Sequence, residues 1–565
     1  MKKLLIFCLL ALTACSLKEQ SYTSVDKNNY LNDADEAETL LLGVYQAMCV
    51  DGIYKFHLSM LLSLPTDEAK VEGSSLVGFR EQASNAYTSA DSYVQATWAA
   101  LYTAIYRAND FLESMKARMD NFSGNDLERC RYYIAEARAL RGLYYFELVR
   151  WFKNVPLIRS TAESYNLPSE FKQEKPENVY KFIEEDLKYA AEVLPWHDED
   201  SVRGNVTFRL SKGGVLGLLA KVYATWAGYP LQDNSKWALA AKAAGEVVNG
   251  GHHKLLANYE QLWKNAANNV WAPEESLLEA CFYAPQPNTA SSGRIGKWNG
   301  ANATLGAIKG NYNQAVYKVH PTFLTGWKDH SLDKRWGLSF ADYRYTKGTN
   351  GETVKETITS ATIGGEKTPI TFEMAMDTGY PGWRMDWRRA YSYMLTPAKW
   401  DIERYVEDAN QIADNNLSNV NWYVLRYADV LLLYAEALAE SGGSVPAEAV
   451  EAVNQVRRRG FGEDQNTPSD KADLPIGIGF EDFRQAVRDE RSYELAFEGH
   501  RRQDLVRWGI YYETVMDTYL KSVDWHEAAP QYFIGALYTV KGKNELLPIP
   551  LHDIDLCGFE QNDKW

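Results

Sequence analysis

The sequence contains little cysteine, and the positions of its cysteines exclude the common metal-binding frameworks. Six of the 565 residues are cysteine. Two lie at the amino terminus, and the other four are too widely spaced for a zinc-ligand pattern; these four are Cys49, Cys130, Cys281 and Cys557. An oxidising compartment permits disulfide bonds among them, and the alternative is four buried thiols, which the sequence slightly favours.

Motifs for metal, phosphate and nucleophilic chemistry are also missing. The nine histidines show no metal-ligand spacing. There is no glycine-rich phosphate loop and no Gly-x-Ser-x-Gly segment. We therefore expect no metal ion and no cofactor.

Positive charge is in deficit. Lysine and arginine number 60 against 75 aspartates and glutamates, which gives a formal net charge of −15. Nucleic acids and anionic lipids bind basic surfaces, and no basic segment with interleaved aromatic residues occurs in the chain. We expect no nucleic-acid partner.

The longest uninterrupted apolar run stands at the amino terminus. Two lysines precede an apolar stretch at residues 4–12, which is far shorter than the ~20 residues of a membrane-spanning helix and is typical of a secretory signal peptide. Leu12-Thr13-Ala14-Cys15 resembles a bacterial lipobox, in which the cysteine is diacylated after cleavage. We expect a signal peptide at residues 1–14, lipidation of Cys15, a tether at residues 15–30 and attachment to a membrane through the lipid. The alternative is an ordinary signal peptide with an incidental cysteine.

Helical periodicity dominates most of the remaining chain. Apolar residues recur every three or four positions in residues 92–115 and 127–152, which predicts helices with one buried face. Small residues in the two following helices favour close antiparallel packing, as in tetratricopeptide-like hairpins. We therefore predict a mostly α fold, with such hairpins forming a single large unit that carries minor β structure. Further helices are predicted at residues 177–193, 211–226, 237–248, 422–440, 447–459 and 481–508.

One long segment lacks this periodicity. Residues 282–400 are rich in glycine, asparagine, threonine, proline and aromatic residues, and long irregular segments in compact proteins are often functional. We divide the chain into a helical region at 31–281, a loop-rich insertion at 282–400 that we expect to bind ligand, and a second helical region at 401–565.

Several motifs resemble those of a known family. Leu64-Pro65-Thr66-Asp67-Glu68 resembles its early acidic motif, and Leu425-Arg426-Tyr427-Ala428-Asp429 resembles a late helix. The most specific block runs from Arg488-Asp489-Glu490-Arg491 through Phe497-Glu498-Gly499-His500-Arg501-Arg502 to Arg507-Trp508-Gly509. In this order, and together with the lipobox, these motifs resemble the SusD/RagB-like nutrient-uptake lipoproteins of the Bacteroidetes outer membrane, over nearly the whole chain.

The resemblance implies a function and two partners. It implies capture of an oligosaccharide, or in some members a peptide, by a lipid-anchored protein that faces the cell exterior at the outer membrane. It also implies a SusC-like TonB-dependent barrel transporter, which receives the ligand.

The charged block at Asp489–Arg507 invites a catalytic interpretation, which we disfavour. A glycosidase needs two carboxylates that flank a cleft, whereas these charges alternate with apolar residues and are better explained by ion pairs that hold a half-buried helix. We therefore expect a binding protein and not an enzyme. A surface glycoside hydrolase and a purely protein-binding scaffold remain the alternatives.

The candidate ligand-binding residues lie in two segments that offer aromatic faces beside polar groups. A sugar ring presents an apolar C–H face and a rim of hydroxyl groups, so its site needs both kinds of side chain. Flanking glycines and asparagines predict that the rings are exposed. The alternative is that Trp298 and Trp383 fill gaps between the loop and the body, since tryptophan is highly buried on average. The candidates are Phe79 and Arg80 in the loop after the acidic motif, which resembles a ligand-contacting loop of the family, and Trp298, Asn299, Tyr312 and Trp383 in the insertion, with Lys297 and Arg384 beside them.

Overall fold

The computed structural model describes residues 30–73, 75–204, 208–357, 360–363, 366–369, 395–413, 416–525 and 533–565. The mostly α fold predicted from the sequence is confirmed. Twelve longer helices are labelled here in chain order: α1 Ala34–Gln46, α2 Ser92–Arg118, α3 Gly124–Phe152, α4 Pro176–Val193, α5 Lys212–Ala227, α6 Lys236–Asn249, α7 Tyr259–Ala267, α8 Tyr427–Gly442, α9 Ala447–Phe461, α10 Phe480–Glu494, α11 Arg501–Arg507 and α12 Tyr511–Trp525.

These helices pack as consecutive neighbours. Helix α2 contacts α3, α3 contacts α4, α5 contacts α6, and α6 contacts α8, which packs in turn on α9. The close approach of α5 to its neighbours depends on glycine, because a Cβ on Gly217 would lie 2.8 Å from Val430 Cγ2 of α8. The arrangement is the series of helical hairpins that the periodicity predicted.

Strands are short and form several small sheets. The labelled strands are β1 Ala69–Val71, β2 Ser276–Ala280, β3 Asn302–Ile308, β4 Asn311–Asn313, β5 Tyr317–Val319, β6 Tyr343–Lys347, β7 Thr353–Thr357 and β8 Trp422–Arg426. Strands β7, β6, β3 and β4 form a four-stranded sheet in that order, β1 pairs with β5, and β2 pairs with β8. Two-stranded ladders join Val155–Pro156 to Gln173–Glu174, Phe340–Ala341 to Thr396–Pro397, Ser360–Ile363 to Glu366–Pro369 and Ile412–Ala413 to Leu417–Ser418.

Short helical segments complete the fold. The α-helical ones are Phe79–Gln82, Pro321–Gly326, Trp336–Ser339, Ile402–Tyr405, Ile534–Tyr538 and Leu551–Cys557. Two π-helical turns, Asp51–Lys55 and His57–Leu61, follow the 3-10 turn Ala47–Cys49, and further 3-10 turns are Met119–Asn121, Ala162–Tyr165, Pro168–Glu170 and Ala409–Gln411.

Two of the predicted helix boundaries are wrong. Residues 422–426 are not the start of a helix but strand β8, whose five residues are all buried against β2. The helix predicted at 481–508 breaks between Glu494 and Arg501, because Phe497 and Gly499 adopt the left-handed backbone conformation with φ of 63° and 77°.

The charged block around α10 and α11 forms a buried network of ion pairs, as predicted. Glu494 accepts hydrogen bonds from Arg335, Arg426 and Arg459, with nitrogen–oxygen distances between 2.7 and 3.0 Å. Burial alone would raise the pKa of Glu494, but the three guanidinium groups outweigh burial and hold this pKa at about 2. The network ties α10 to α9, to β8 and to Arg335.

Three further findings concern membrane-spanning helices, potential metal ligands and the cysteines. In the part of the chain that the structure describes, no helix has the length and apolar character to cross a membrane, and no group of three or more potential ligands could hold a metal ion. The four cysteines of the folded body are free thiols.

Candidate functional site

The pairing of β1 with β5 brings the two predicted binding segments together. Ala69 lies opposite Val319, and the Glu72 amide donates a hydrogen bond to the Val316 carbonyl over 2.7 Å. The loop that carries Phe79 therefore leaves the ladder beside the segment that carries Trp298.

Aromatic rings from three parts of the chain meet at this place. The ring centroid of Trp298 lies 4.7 Å from that of Phe56 and 4.9 Å from that of Phe79, which it meets edge to face. The guanidinium of Arg80 lies 4.8 Å from the Phe79 centroid, and that of Arg294 lies 5.0 Å from the Phe56 centroid. We call these five residues the Trp298 cluster.

The Trp298 cluster presents partly exposed rings and two guanidinium groups. Phe79, Arg80, Arg294 and Trp298 are half-buried, and Phe56 is buried beneath them. Each guanidinium is also fixed by a hydrogen bond, from Arg80 Nε to the Glu72 carbonyl over 2.8 Å and from Arg294 Nε to Asp51 Oδ1 over 3.0 Å. Rigid apolar faces beside fixed donors form the combination that a sugar ring requires.

The loop that presents Trp298 depends on two glycines. Gly296 has a φ of +78°, and a Cβ on Gly300 would lie 2.2 Å from the Gly296 carbonyl oxygen. The side chain of Asn299 stabilises the turn, because its Oδ1 accepts a hydrogen bond from the Gly296 amide over 2.8 Å.

Some predicted contact residues are buried instead of exposed. Asn299 is only 1% exposed, and its amide oxygen accepts a hydrogen bond within the loop. Lys297 is fully buried and donates hydrogen bonds to the carbonyls of Gly310 and Tyr312, because β4 folds back over it. Tyr312 is half-buried, with the Lys297 ammonium 5.4 Å from its ring centroid. Neither Trp383 nor Arg384 nor Cys15 belongs to the described residues.

Sequence reasoning missed Phe56 and Arg294. Phe56 lies between the two π-helical turns, where the chain has no regular periodicity that would separate a core ring from a site ring. Its neighbour His57 has a pKa lowered to about 4 by burial, and His57 Nδ1 lies 3.0 Å from Thr97 Oγ1. His57 is therefore uncharged at neutral pH, whereas Asp51 in the preceding π-helical turn is the ion-pair partner of Arg294.

The architecture and the sequence both match known proteins. One family model, described as the SusD family, matches residues 324–565, and another, described as starch-binding and associating with the outer membrane, matches residues 33–224. A SusD homolog from Bacteroides thetaiotaomicron with a crystal structure is 46% identical, with a TM-score of 0.86 over 96% of this chain and 99% of that chain. The chain belongs to the SusD family.

Other SusD-like proteins are more distant. A laminarin-binding SusD-like protein of known structure is 25% identical, with a TM-score of 0.64 over 94% of this chain and 99% of its own. SusD-like protein P25 of Formosa agariphila is 27% identical over 82% of this chain and 77% of its own length. The two solved structures cover 96% and 94% of this chain, so the SusD fold extends over nearly all of it.

Proposed function

We propose that this SusD-family protein captures an oligosaccharide at the outer membrane and delivers it to a TonB-dependent barrel transporter. The observation that carries the proposal is the Trp298 cluster, in which segments distant in sequence bring half-buried aromatic rings and two hydrogen-bonded guanidinium groups together. Membership in a family described as starch-binding and the similarity to a laminarin-binding protein support carbohydrate as the ligand class.

Capture without turnover fits the ion pairing of the charged block. Glu490, Glu494 and Glu498 are buried and bonded to arginine or lysine, so none of the three is free to act as a general acid beside a cleft. Conversion of an oligosaccharide by the purified protein, followed by chromatography of the products, would contradict this part of the proposal.

A lipid on Cys15 would keep the binding body at the membrane. Two or more acyl chains anchor a protein stably, at about 0.8 kcal/mol per buried methylene, whereas one chain does so only marginally. The lipobox supports this anchor, and the body itself then needs no spanning helix. An outward orientation follows from the proposed function, since the ligand arrives from the exterior.

The experiment that tests ligand capture uses the full chain in detergent on an array of plant, algal and microbial oligosaccharides. We expect binding to a restricted set of glycans, and titration calorimetry of the best ligand then gives its affinity. If the protein binds peptides and none of the glycans, the assignment of a carbohydrate ligand is wrong but the family membership stands.

Delivery requires a second protein, because a surface-bound receptor cannot move a ligand through the membrane. Gentle extraction of native membranes is expected to bring down a barrel of larger mass through an interface at or above ~1,600 Å² of buried surface. If the protein migrates alone in several mild detergents, the transporter part of the proposal is wrong.

A further inference from the structure

A second recess is lined in part by Ala290 and Ser291, on the segment that leads to Trp298. Its volume is about 490 Å³, within the roughly 300–1,000 Å³ typical of ligand sites. Four aromatic residues line it: Phe208, Trp271, Tyr283 and, at the end of α1, Tyr45. This side of the lining is completed by Glu279, Cys281, Ala290 and Ser291. We call it the Trp271 pocket.

The aromatic wall of the pocket is held in place. The ring centroids of Phe208 and Trp271 lie 5.6 Å apart with their planes tilted by 48°. Trp271 Nε1 donates to Cys281 Sγ over 3.4 Å, and the Cys49 thiol donates to the Cys281 carbonyl over 3.4 Å. The indole therefore has a fixed orientation before any ligand arrives, which lowers the entropic cost of stacking on it.

The rim of the pocket is exposed and partly polar. Tyr283 is 58% exposed, an unusually large exposed fraction for an aromatic residue, and Ser291 is exposed beside it. Gln46 uses its amide oxygen to accept a hydrogen bond from Arg107 over 2.7 Å, which orients the amide. Hydroxyl and amide groups thus surround an apolar wall.

The charge of the lining restricts the ligand. Among the described residues that line the Trp271 pocket there is no lysine or arginine, so an acidic ligand would find no cationic partner there. Its one carboxyl group, Glu279, is buried, and burial raises its pKa to about 7 although Ser276 and Asn421 donate hydrogen bonds to it. A carboxylate or sulfate group would therefore find no lysine or arginine in the lining to pair with.

The pocket and the Trp298 cluster share one stretch of chain. Lys55 donates to the Thr289 carbonyl over 2.6 Å, and Arg294 bonds to Asp51, so residues 289–294 are fastened to the π-helical turns. Ser291 lines the pocket on this stretch, and Arg294 belongs to the cluster. Residues 289–294 therefore contribute to both places and hold them in a fixed relation.

We propose that the Trp271 pocket is a second carbohydrate-binding site, which takes an uncharged sugar ring against Trp271 and Tyr283. This inference rests on the proposed function, since it places a further ring of the same oligosaccharide. A flat ring with C–H groups on its face and hydroxyl groups at its edge matches an aromatic wall with a polar rim. A uronic acid or a sulfated sugar does not match it.

The test compares variants of the full chain in detergent by titration calorimetry. The probes are laminarihexaose, cellohexaose, maltohexaose and xylohexaose as neutral ligands and hexagalacturonate as the acidic one. Tyr283→Ala removes an exposed ring without disturbing the core, Trp271→Ala removes the wall, and Trp271→Phe restores an aromatic face. Tyr165→Ala is the matched control, because Tyr165 is 76% exposed and lines neither site.

We expect at least one neutral hexasaccharide to bind, with an affinity that Tyr283→Ala weakens about fivefold, Trp271→Ala weakens further and Trp271→Phe largely restores. Tyr165→Ala leaves the affinity unchanged. If Trp298→Ala weakens a neutral hexasaccharide while Tyr283→Ala and Trp271→Ala bind it normally, the second site is wrong and the proposed function stands. If hexagalacturonate alone binds and Tyr283→Ala weakens it, the inferred ligand class is wrong. Absence of binding to every probe overturns the inference, and a glycan array that then finds no ligand overturns the proposed function as well.

Discussion

Asp67 and Arg501 form a two-pronged ion pair that joins the beginning of the fold to its end. Arg501 Nε donates to Asp67 Oδ1 over 2.8 Å, and Arg501 Nη2 donates to Oδ2 over 2.6 Å. Both side chains are largely buried, with 14% and 21% of their surface exposed for Arg501 and Asp67. The pair fastens the loop that leads into β1 to helix α11, and so supports the ladder on which the Trp298 cluster depends.

We expect Asp67→Ala to lower the free energy of unfolding by about 2 kcal/mol, because it leaves the Arg501 guanidinium largely buried without its main partner. Denaturant titration of the purified protein measures the change. The control is Asp517→Ala. Asp517 is 59% exposed, and its partner Lys521 is 60% exposed. This variant should lower the free energy of unfolding by less than about 1 kcal/mol. If the two variants lose the same free energy of unfolding, the buried Asp67–Arg501 pair contributes no more to stability than an exposed pair.

The pH dependence of stability follows from the buried network. Arg459, Arg426 and Arg335 hold the pKa of Glu494 at about 2, and Arg491 and Arg507 hold that of Asp504 at about 2. Carboxyl groups in an unfolded chain titrate near 4. Because folding lowers the pKa, the stabilisation is present above pH ~4 and is lost as pH falls toward 2. Melting temperatures recorded between pH 7 and 2.5 should fall most steeply below pH ~4, and a flat profile there would contradict the pairing.

Glu68 should lower the stability of the protein as pH rises, opposite to the effect of Glu494 and Asp504. Burial raises its pKa to about 8. A folded pKa above the unfolded value means that the stabilisation is present below pH ~4.5 and is lost as pH rises through 8. We expect Glu68→Gln, which keeps the neutral shape, to flatten the decline of the melting temperature between pH 5 and 8. If the melting temperatures of the variant and the natural protein decline in parallel, Glu68 is ionised in the folded protein.

The helices were predictable because each buries one face over many turns. Residues 92–115 and 127–152 repeat the helical pattern long enough to identify α2 and α3. Strand β8 was not predicted, because all five of its residues are buried. Its sequence therefore lacks the alternation of apolar and polar residues that distinguishes a strand from a helix. Its partner β2 lies far away in the sequence, so the pairing has no local signal.

The candidate site was predictable in part. Phe79 and Trp298 were suggested by aromatic rings among glycines and polar residues, but their contact depends on the long-range pairing of β1 with β5. Asn299 was a candidate because a sugar site needs polar side chains for the hydroxyl rim beside an aromatic ring. Its burial follows from the tight turn at Gly296, which needs a hydrogen-bond acceptor inside the loop.

Removal of the central ring of the Trp298 cluster should weaken ligand binding. We expect Trp298→Ala to reduce oligosaccharide affinity about tenfold, since stacking and the positions of both neighbouring rings are lost. Because Trp298 also packs on Phe56, Arg80→Ala is a second variant that leaves the rings in place and should weaken binding severalfold. Calorimetry with the best ligand from the glycan array, alongside melting temperatures, measures both effects. Normal affinity in both variants would exclude this cluster from the site.

The proposed lipid anchor predicts a change in cellular fractionation. Cys15→Ala removes the thiol that would carry the acyl chains, so we expect the variant to leave the membrane fraction or to keep its leader peptide. Membrane fractionation and mass spectrometry of the amino-terminal peptide measure this. Retention of the variant in the membrane, together with an unlipidated natural protein, would show that the lipobox is incidental.

Gly300 offers a test of whether the loop geometry itself determines binding. A Cβ at this position would lie 2.2 Å from the Gly296 carbonyl oxygen and 2.6 Å from that of Trp400. Both obstacles are backbone atoms, so they cannot rotate away as a side chain would, and the loop must shift. We expect Gly300→Ala to lower the free energy of unfolding by about 3 kcal/mol. It should also weaken oligosaccharide binding under conditions where the protein remains folded, because Trp298 moves with the loop.

The matched control for Gly300→Ala is Gly337→Ala, since a Cβ on Gly337 meets no atom within 4 Å. This control should leave affinity unchanged and should not lower stability, since alanine at a helical position with open space stabilises by about 0.4–1 kcal/mol. Calorimetry at a temperature below the melting transition of both variants separates the loop effect from global unfolding. If Gly300→Ala loses stability yet binds with natural affinity, the position of Trp298 does not govern recognition. The ligand would then have to be held by other residues of the surface.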